Sequence, residues 1–267
     1  MSAKWNRMRT AAVTLLSAAG LAAQKTPEEA LRALTDGNRR FVAERTVPQP
    51  VGEGVRRTLA RGQSPFAVVL CCSDSRVPPE HVFNGGLGEL YVIRVAGNTV
   101  DRETVASIEY AVEQLNAPLC VVLGHEACEA ISVAIEQVRS IDNDRVEPCA
   151  SLALQGLVEQ LEPAVRKARS RDLGGKALHD ACEEENVHLA VHEVLRRSPL
   201  LQRFVQVGQL QMVGARYHLE SGEVEFLPTR PLPPEPMSAF DPAMHSVPVG
   251  VPPHVALRML QAGHRRF

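Results

Sequence analysis

An α/β fold with a mostly parallel central β-sheet flanked by helices is predicted, and three observations carry the prediction. Phe66 to Cys71 and Leu119 to Leu123 are short, continuous apolar runs, the pattern of strands buried on both faces. Segments with helical periodicity separate them, so the order reads strand, helix, strand. Aromatic residues are only 4% of the chain, so the core rests on Val, Leu, Ile and Ala.

The elements follow in order. Residues 26–41 place Leu31, Leu34 and Phe41 on one stripe of an amphipathic helix. Phe66 to Cys71 is the first strand, and Tyr91 to Val95 is another, interrupted by Arg94. Asp101 can cap a helix that carries Val105, Ile108, Val112 and Leu115 on one face. Leu119 to Leu123 returns to the sheet, and helices fit Ala130 to Val138, Ser151 to Arg169 and His179 to Arg197. Val205 to Tyr217 reads as a further strand, and Ser221-Gly222 as a hairpin turn into Glu223 to Phe226.

Charge and composition exclude several functions. The 267 residues hold 29 Lys+Arg against 31 Asp+Glu, so no overall electrostatic case exists for binding nucleic acid or another polyanion. At 45% hydrophobic and 22% charged the chain reads as globular, one large domain with appendages or two small ones. No apolar run reaches the roughly 18 to 20 residues of a membrane-spanning helix. Six irregularly placed cysteines do not make a disulfide scaffold, and a metal site suits them better.

Both ends differ from the middle. In residues 1–24, Lys4, Arg7 and Arg9 precede the weakly apolar stretch Thr10 to Ala23, with small residues at Gly20 and Ala22. That layout fits an export signal, and equally a surface helix or disordered leader, so an exported or periplasmic location stands beside a cytoplasmic one. Residues 25–230 hold the alternating elements. Nine of the 19 prolines fall between Pro228 and Pro253, which makes 231–251 a Pro-rich linker. Residues 252–267 then repeat 26–41 with nine identities: Pro253, Ala256, Leu257, Arg258, Leu260, Gly263, Arg265, Arg266 and Phe267. The copy is either the start of a second domain or a docking helix.

Ligands of open α/β sheets sit beyond the carboxyl ends of the strands, and two strand ends carry unusual chemistry. The first runs into Cys71-Cys72-Ser73-Asp74-Ser75-Arg76, the later one into Gly124-His125-Glu126-Ala127-Cys128. Two thiolates and an imidazole are a zinc set, with a fourth position open for catalysis. The competing reading, core cysteines and a surface histidine, does not explain why both motifs end strands with Asp and Arg beside one cysteine.

These residues resemble the β-class carbonic anhydrases, whose pattern is Cys-x-Asp-Ser-Arg followed some fifty residues later by His-x-x-Cys. Supporting stretches are Gly37-Asn38-Arg39-Arg40-Phe41, Pro79-Glu80, Gly88 to Arg94, Ala96-Gly97-Asn98 and Glu185-Asn186-Val187, so the likeness runs from about Pro27 to Leu227. The resemblance implies Zn2+ held by Cys72, His125 and Cys128. It also implies reversible hydration of carbon dioxide to bicarbonate and a proton, by attack of a zinc-bound hydroxide. In that scheme Asp74 accepts a hydrogen bond from the hydroxide, and Arg76 clamps the Asp74 carboxylate and keeps it ionised. In some members the aspartate instead takes the fourth zinc position, so Asp74 is both a catalytic and a metal-ligand candidate. The resemblance further implies a homodimer or larger homo-oligomer, with the opening helix packing onto a neighbouring subunit.

One departure matters. The family usually has Gly after the second cysteine, where this chain has Glu129. Near the metal, its charge would be worth about 3 kcal/mol against hydroxide formation at about 6 Å. Facing solvent from the first turn of a helix, it would be harmless. Two rival functions remain: hydrolysis of a related linear substrate (carbon disulfide or carbonyl sulfide), and a catalytically weakened zinc-bearing assembly module. Cys71 points away from Cys72 along the strand and belongs to packing. Cys120, Cys149 and Cys182 lack partners at ligand spacing. Glu184, His188 and His192 share a helical face that reads as solvated rather than metal-binding. Gly85-Gly86-Leu87-Gly88 reads as a loop rather than an anion cradle.

Overall fold

The computed structural model describes residues 24–142, 149 and 151–230. The leader expected at the N-terminus, the linker at 231–251 and the repeat at 252–267 lie outside the described residues.

α1 (Pro27–Val42) opens on a capping box: Thr26 Oγ1 accepts from the Glu29 N–H, and the Glu29 carboxylate accepts from the Thr26 N–H. After α2 (Glu53–Leu59) come β1 (Ala67–Cys71), the short α3 (Pro79–Val82) and β2 (Leu90–Arg94). A 3-10 turn, Ala96–Asn98, leads into α4 (Arg102–Gln114), capped as expected by Asp101, which accepts from the Thr104 N–H at 2.7 Å. β3 (Leu119–His125) is followed by α5 (Glu129–Asp142), α6 (Leu152–Arg169), α7 (Gly175–Arg197) and α8 (Pro199–Gln206). β4 (Gln211–Tyr217) and β5 (Val224–Phe226) close the sheet.

The sheet order is β2-β1-β3-β4-β5, parallel except for the antiparallel β5. Every residue of β1 and β3 is buried, because helices cover both faces. Alternation divides the strands: Val68, Leu70, Cys120 and Val122 join Ile108, Val194 and Leu201, while Val69, Cys71, Val121 and Leu123 join Ala30, Leu34 and Val82. A third cluster joins Cys72 and Cys128 to Ile131, Val158, Leu161 and Cys182 of α5, α6 and α7. The metal-ligand candidates therefore sit on a packed apolar floor at the carboxyl end of the sheet.

Two findings correct or sharpen the sequence reading. Val205 to Tyr217 is not one strand. Ser198 caps α8 by accepting from the Leu201 N–H at 3.1 Å, Val205 and Gln206 finish that helix, and the chain turns before β4 begins at Gln211. The second concerns α7, which presses onto the sheet through Val187. A Cβ on Gly124 would lie 2.5 Å from Val187 Cγ2, and one on Gly214 would lie 2.7 Å from Val187 Cγ1. Only glycine at both positions lets the helix come this close. Among the described residues no helix is long and apolar enough to cross a membrane.

Candidate metal centre

Cys72 is the first residue beyond β1, and His125 is the last of β3. The two strands are hydrogen-bonded neighbours with Cys71 opposite Leu123, so their ends deliver these side chains to one place. Cys128 follows in the turn before α5. The donor atoms of Cys72, His125 and Cys128 lie within 4.8 Å of one another, and all three residues are buried. Among the described residues they are the only group of three such donors.

The imidazole is prepared as a ligand. His125 Nδ1 lies 2.9 Å from the Glu126 carbonyl, which fixes it as the N–H donor and leaves the lone pair on Nε2. Nε2 is buried and has no hydrogen-bond partner among the described residues. An orphaned acceptor nitrogen close to two sulfurs fits a tetrahedral zinc ion with three protein ligands.

Charge at the sulfurs is shared. The Cys72 thiol is pushed down to about 4 by its hydrogen bond with Cys128; His125 and the Gly97 N–H, 3.3 Å from Cys72 Sγ, also help, against burial. Cys128 is pushed up by the same contact and by burial. Their contact therefore favours negative charge on Cys72 and opposes a second one on Cys128. Burial alone would lower His125, but the negative charge of Cys72 and Asp74 close beside it raises it.

Asp74 and Arg76 are clamped together. Arg76 Nε donates to Asp74 Oδ1 at 2.9 Å, Nη2 donates to Oδ2 at 2.6 Å, and the Arg76 backbone N–H adds a third bond to Oδ1 at 2.9 Å. Arg76 holds the carboxyl well below its usual range, at about 2. Asp74 Oδ2 stands 4.0 Å from His125 Nε2. Arg76 Nη2 also donates to the Ala127 carbonyl at 3.2 Å, tying the clamp to the turn that carries Cys128.

The other candidates fall away from this centre. Cys71 is in the core facing α1, its thiol pushed up to about 12 by burial, and Cys120 is raised likewise. Cys182 is buried and Cys149 half-buried. Glu129 is exposed at the first position of α5, the solvent-facing arrangement. Glu184, His188 and His192 do not form the solvated face expected: His188 is buried, Glu184 pairs with Arg230, and the Arg230 carbonyl lies 3.3 Å from His192 Nε2. The Gly86 N–H is taken by Glu89 at 2.8 Å, so the glycine run is a self-satisfied turn.

Sequence reasoning missed three charged residues around the centre. Arg94 donates to the carbonyls of Cys72 at 3.3 Å and Asp74 at 2.5 Å. Glu183 accepts from the Cys128 N–H and pairs with Arg216. The available signal was a charge inside an otherwise apolar strand: Arg94 in β2 and Arg216 in β4.

Comparison with known proteins agrees with this arrangement. A family profile described as carbonic anhydrase matches residues 67–224. Carbonic anhydrase 2 of Mycobacterium tuberculosis is 40% identical over 198 residues, covering 73% of this chain and 90% of the relative. The carbonic anhydrase of Mycolicibacterium smegmatis is 37% identical over 199 residues, covering 74% and 92%. The solved Coccomyxa β-carbonic anhydrase, in complex with acetazolamide, superposes with a TM-score of 0.54 at 27% identity, covering 74% of this chain and 86% of that one. By profile, by relatives across most of its length and by fold, this chain belongs to the β-class carbonic anhydrases.

Proposed function

We propose that the protein catalyses reversible hydration of carbon dioxide to bicarbonate and a proton, with Zn2+ held by Cys72, His125 and Cys128. The observation that carries the reading is the buried, unpartnered His125 Nε2 grouped with two cysteine sulfurs at the strand ends. When bound, zinc supplies Lewis-acid activation of water near neutral pH. Asp74, ionised down to about pH 2, is the hydrogen-bond acceptor beside the triad that orients the attacking water. Arg76 occupies both carboxylate oxygens, which fixes Asp74 in place and resists its protonation. Held this way by Arg76, Asp74 would serve as the orienting group rather than as a metal ligand. The assembly we propose is a homodimer or larger homo-oligomer, supported by family membership.

The test combines metal analysis with a hydration assay. Wild-type protein should hold one zinc per chain and hydrate carbon dioxide, with carbon disulfide and carbonyl sulfide turned over poorly in parallel. The Cys72→Ser, Cys128→Ser double variant should lose the metal and the activity. Stoichiometric zinc in that variant would overturn the ligand assignment.

A further inference from the structure

The turn that presents His125 and Cys128 to the metal is held from behind by α7. Glu183 Oε1 accepts from the Cys128 backbone N–H at 3.3 Å, and Glu183 is itself almost fully buried. Its other oxygen, Oε2, accepts from Arg216 Nε at 3.1 Å and Nη2 at 2.7 Å. Arg216 is also buried, and its Nη2 reaches Asp180 Oδ1 at 2.5 Å. One helical turn beyond Glu183, Val187 wedges between Gly124 and Gly214, the residues directly before His125 and two before Arg216. The close approach allowed by those glycines is what brings a helix carboxylate within reach of the Cys128 amide.

A buried carboxylate bonded to the backbone of a cysteine ligand is unfavourable unless something requires it. Its negative charge opposes that of a thiolate, and its burial demands a buried guanidinium in compensation. An apolar residue would fill the same space without either cost. The amide supplies the reason. The Cys128 N–H lies in the turn before α5, where backbone donors have no intrahelical partner. The preceding Ala127 adopts the left-handed conformation, with φ of 53°, which few non-glycine residues occupy. A single acceptor fixed by two guanidinium bonds holds that amide, and with it the direction in which Cys128 Sγ leaves the backbone.

We propose that Glu183, fixed by Arg216, is a positioning residue for the metal centre. It orients Cys128 through its backbone amide and so sets the geometry and retention of the bound metal. This inference rests on the reading of Cys72, His125 and Cys128 as the ligands. Partners that orient metal ligands from behind are typically worth about 10- to 100-fold in metal retention.

The test uses the zinc-loaded protein and reads zinc release to a chromogenic chelator, together with the absorption of the cobalt(II)-substituted form. Glu183→Met alone strands the Arg216 charge, so the decisive variant is Glu183→Met with Arg216→Met, which removes the buried pair together and is compatible with folding. That double variant should keep a thermal midpoint near wild type, release zinc about 10-fold faster or more, and shift the sulfur-to-cobalt charge-transfer band. Glu183→Gln, which keeps an acceptor for the Cys128 N–H, should stay within about threefold of wild type in release. Val194→Ala, on the same helix in the opposite core, should lower the midpoint with release and spectrum unchanged. A double variant with wild-type release and spectrum overturns the positioning role, as does a Glu183→Gln variant that loses metal as fast as the double. A wild-type protein without bound metal would instead overturn the ligand assignment, and the positioning role with it.

Discussion

Asp74 accepts three N–H bonds from Arg76 alone, so neither residue can act independently of the other. Removing the guanidinium frees a carboxylate to rotate and to gain a proton more easily. Removing the carboxylate leaves the guanidinium with the Ala127 carbonyl and no clamp to make. Asp74→Asn and Arg76→Ala should each cut carbon dioxide hydration sharply, and the double variant should lose far less than the product of the two factors. Fully multiplicative losses would contradict the clamp. The pH dependence of stability has a definite sign. Asp74 has a folded pKa of about 2 against about 3.9 unfolded, so its contribution is present above about pH 4 and is lost as pH falls through about 2. Asp74→Asn should therefore flatten part of the acid limb in urea titrations between those values. At this scale the triad and the clamp were legible in the sequence, because the two short motifs place donors at strand ends. Glu183 was not: it stands in a run of three glutamates, and only the fold shows that 183 and 185 are buried while 184 is partly exposed.

At the scale of elements, the two buried strands were legible from uniform hydrophobicity, and α4 from its Asp101 cap. Helix α8 was not, because Val205 near its end and Val207 just after it lead toward the apolar residues of β4, and β-branched residues read as strand when the Ser198-Pro199 start signal is overlooked. The contact between α7 and the sheet was equally hidden. Gly124 and Gly214 lie 90 residues apart, and only the pairing of Val122 with Gly214 and of Gly124 with Arg216 shows that they face one helix. That contact makes a prediction. Gly124→Ala places a methyl group 2.5 Å from Val187 Cγ2 and should destabilise the protein by about 1–3 kcal/mol as α7 is pushed away. Adding Val187→Ala relieves the clash, so the double variant should be less destabilised than the sum of the two singles in denaturant unfolding. Simple additivity would show that the helix does not seat on this glycine. Because His125 follows Gly124 and Glu183 lies one turn before Val187, the same single variant should also speed zinc release.

For the whole molecule, α1 shows which of its residues a docked helix of this sequence uses. It buries Ala30, Leu34, Gly37 and Asn38, with Leu31 and Phe41 packed at the edge of the core. The copy at 252–267 keeps the apolar positions and the glycine, as Ala256, Leu257, Leu260, Gly263 and Phe267. It changes the helix start, where Thr26 and Glu29 of the capping box become Pro252 and Val255. It also replaces Asn38, which bonds the Val82 and Gly222 carbonyls and the Val224 N–H, with His264. The copy therefore retains what is needed to bury a stripe and lacks what stabilises a helix by itself. A 16-residue helix of this sequence, started without the capping box, would be marginal in water, so its stability would have to come from docking. The proline-rich stretch from Pro228 to Pro253 can span about 75 to 80 Å as polyproline, enough to reach another subunit. We propose on this basis that the copy tethers subunits. Truncation after Arg230 removes the tether and leaves every residue of the metal centre in place, so zinc content and hydration rate should be unchanged while light scattering reports a smaller particle. An identical particle mass with and without residues 231–267 would refute the tether, whatever the activity of the truncated protein.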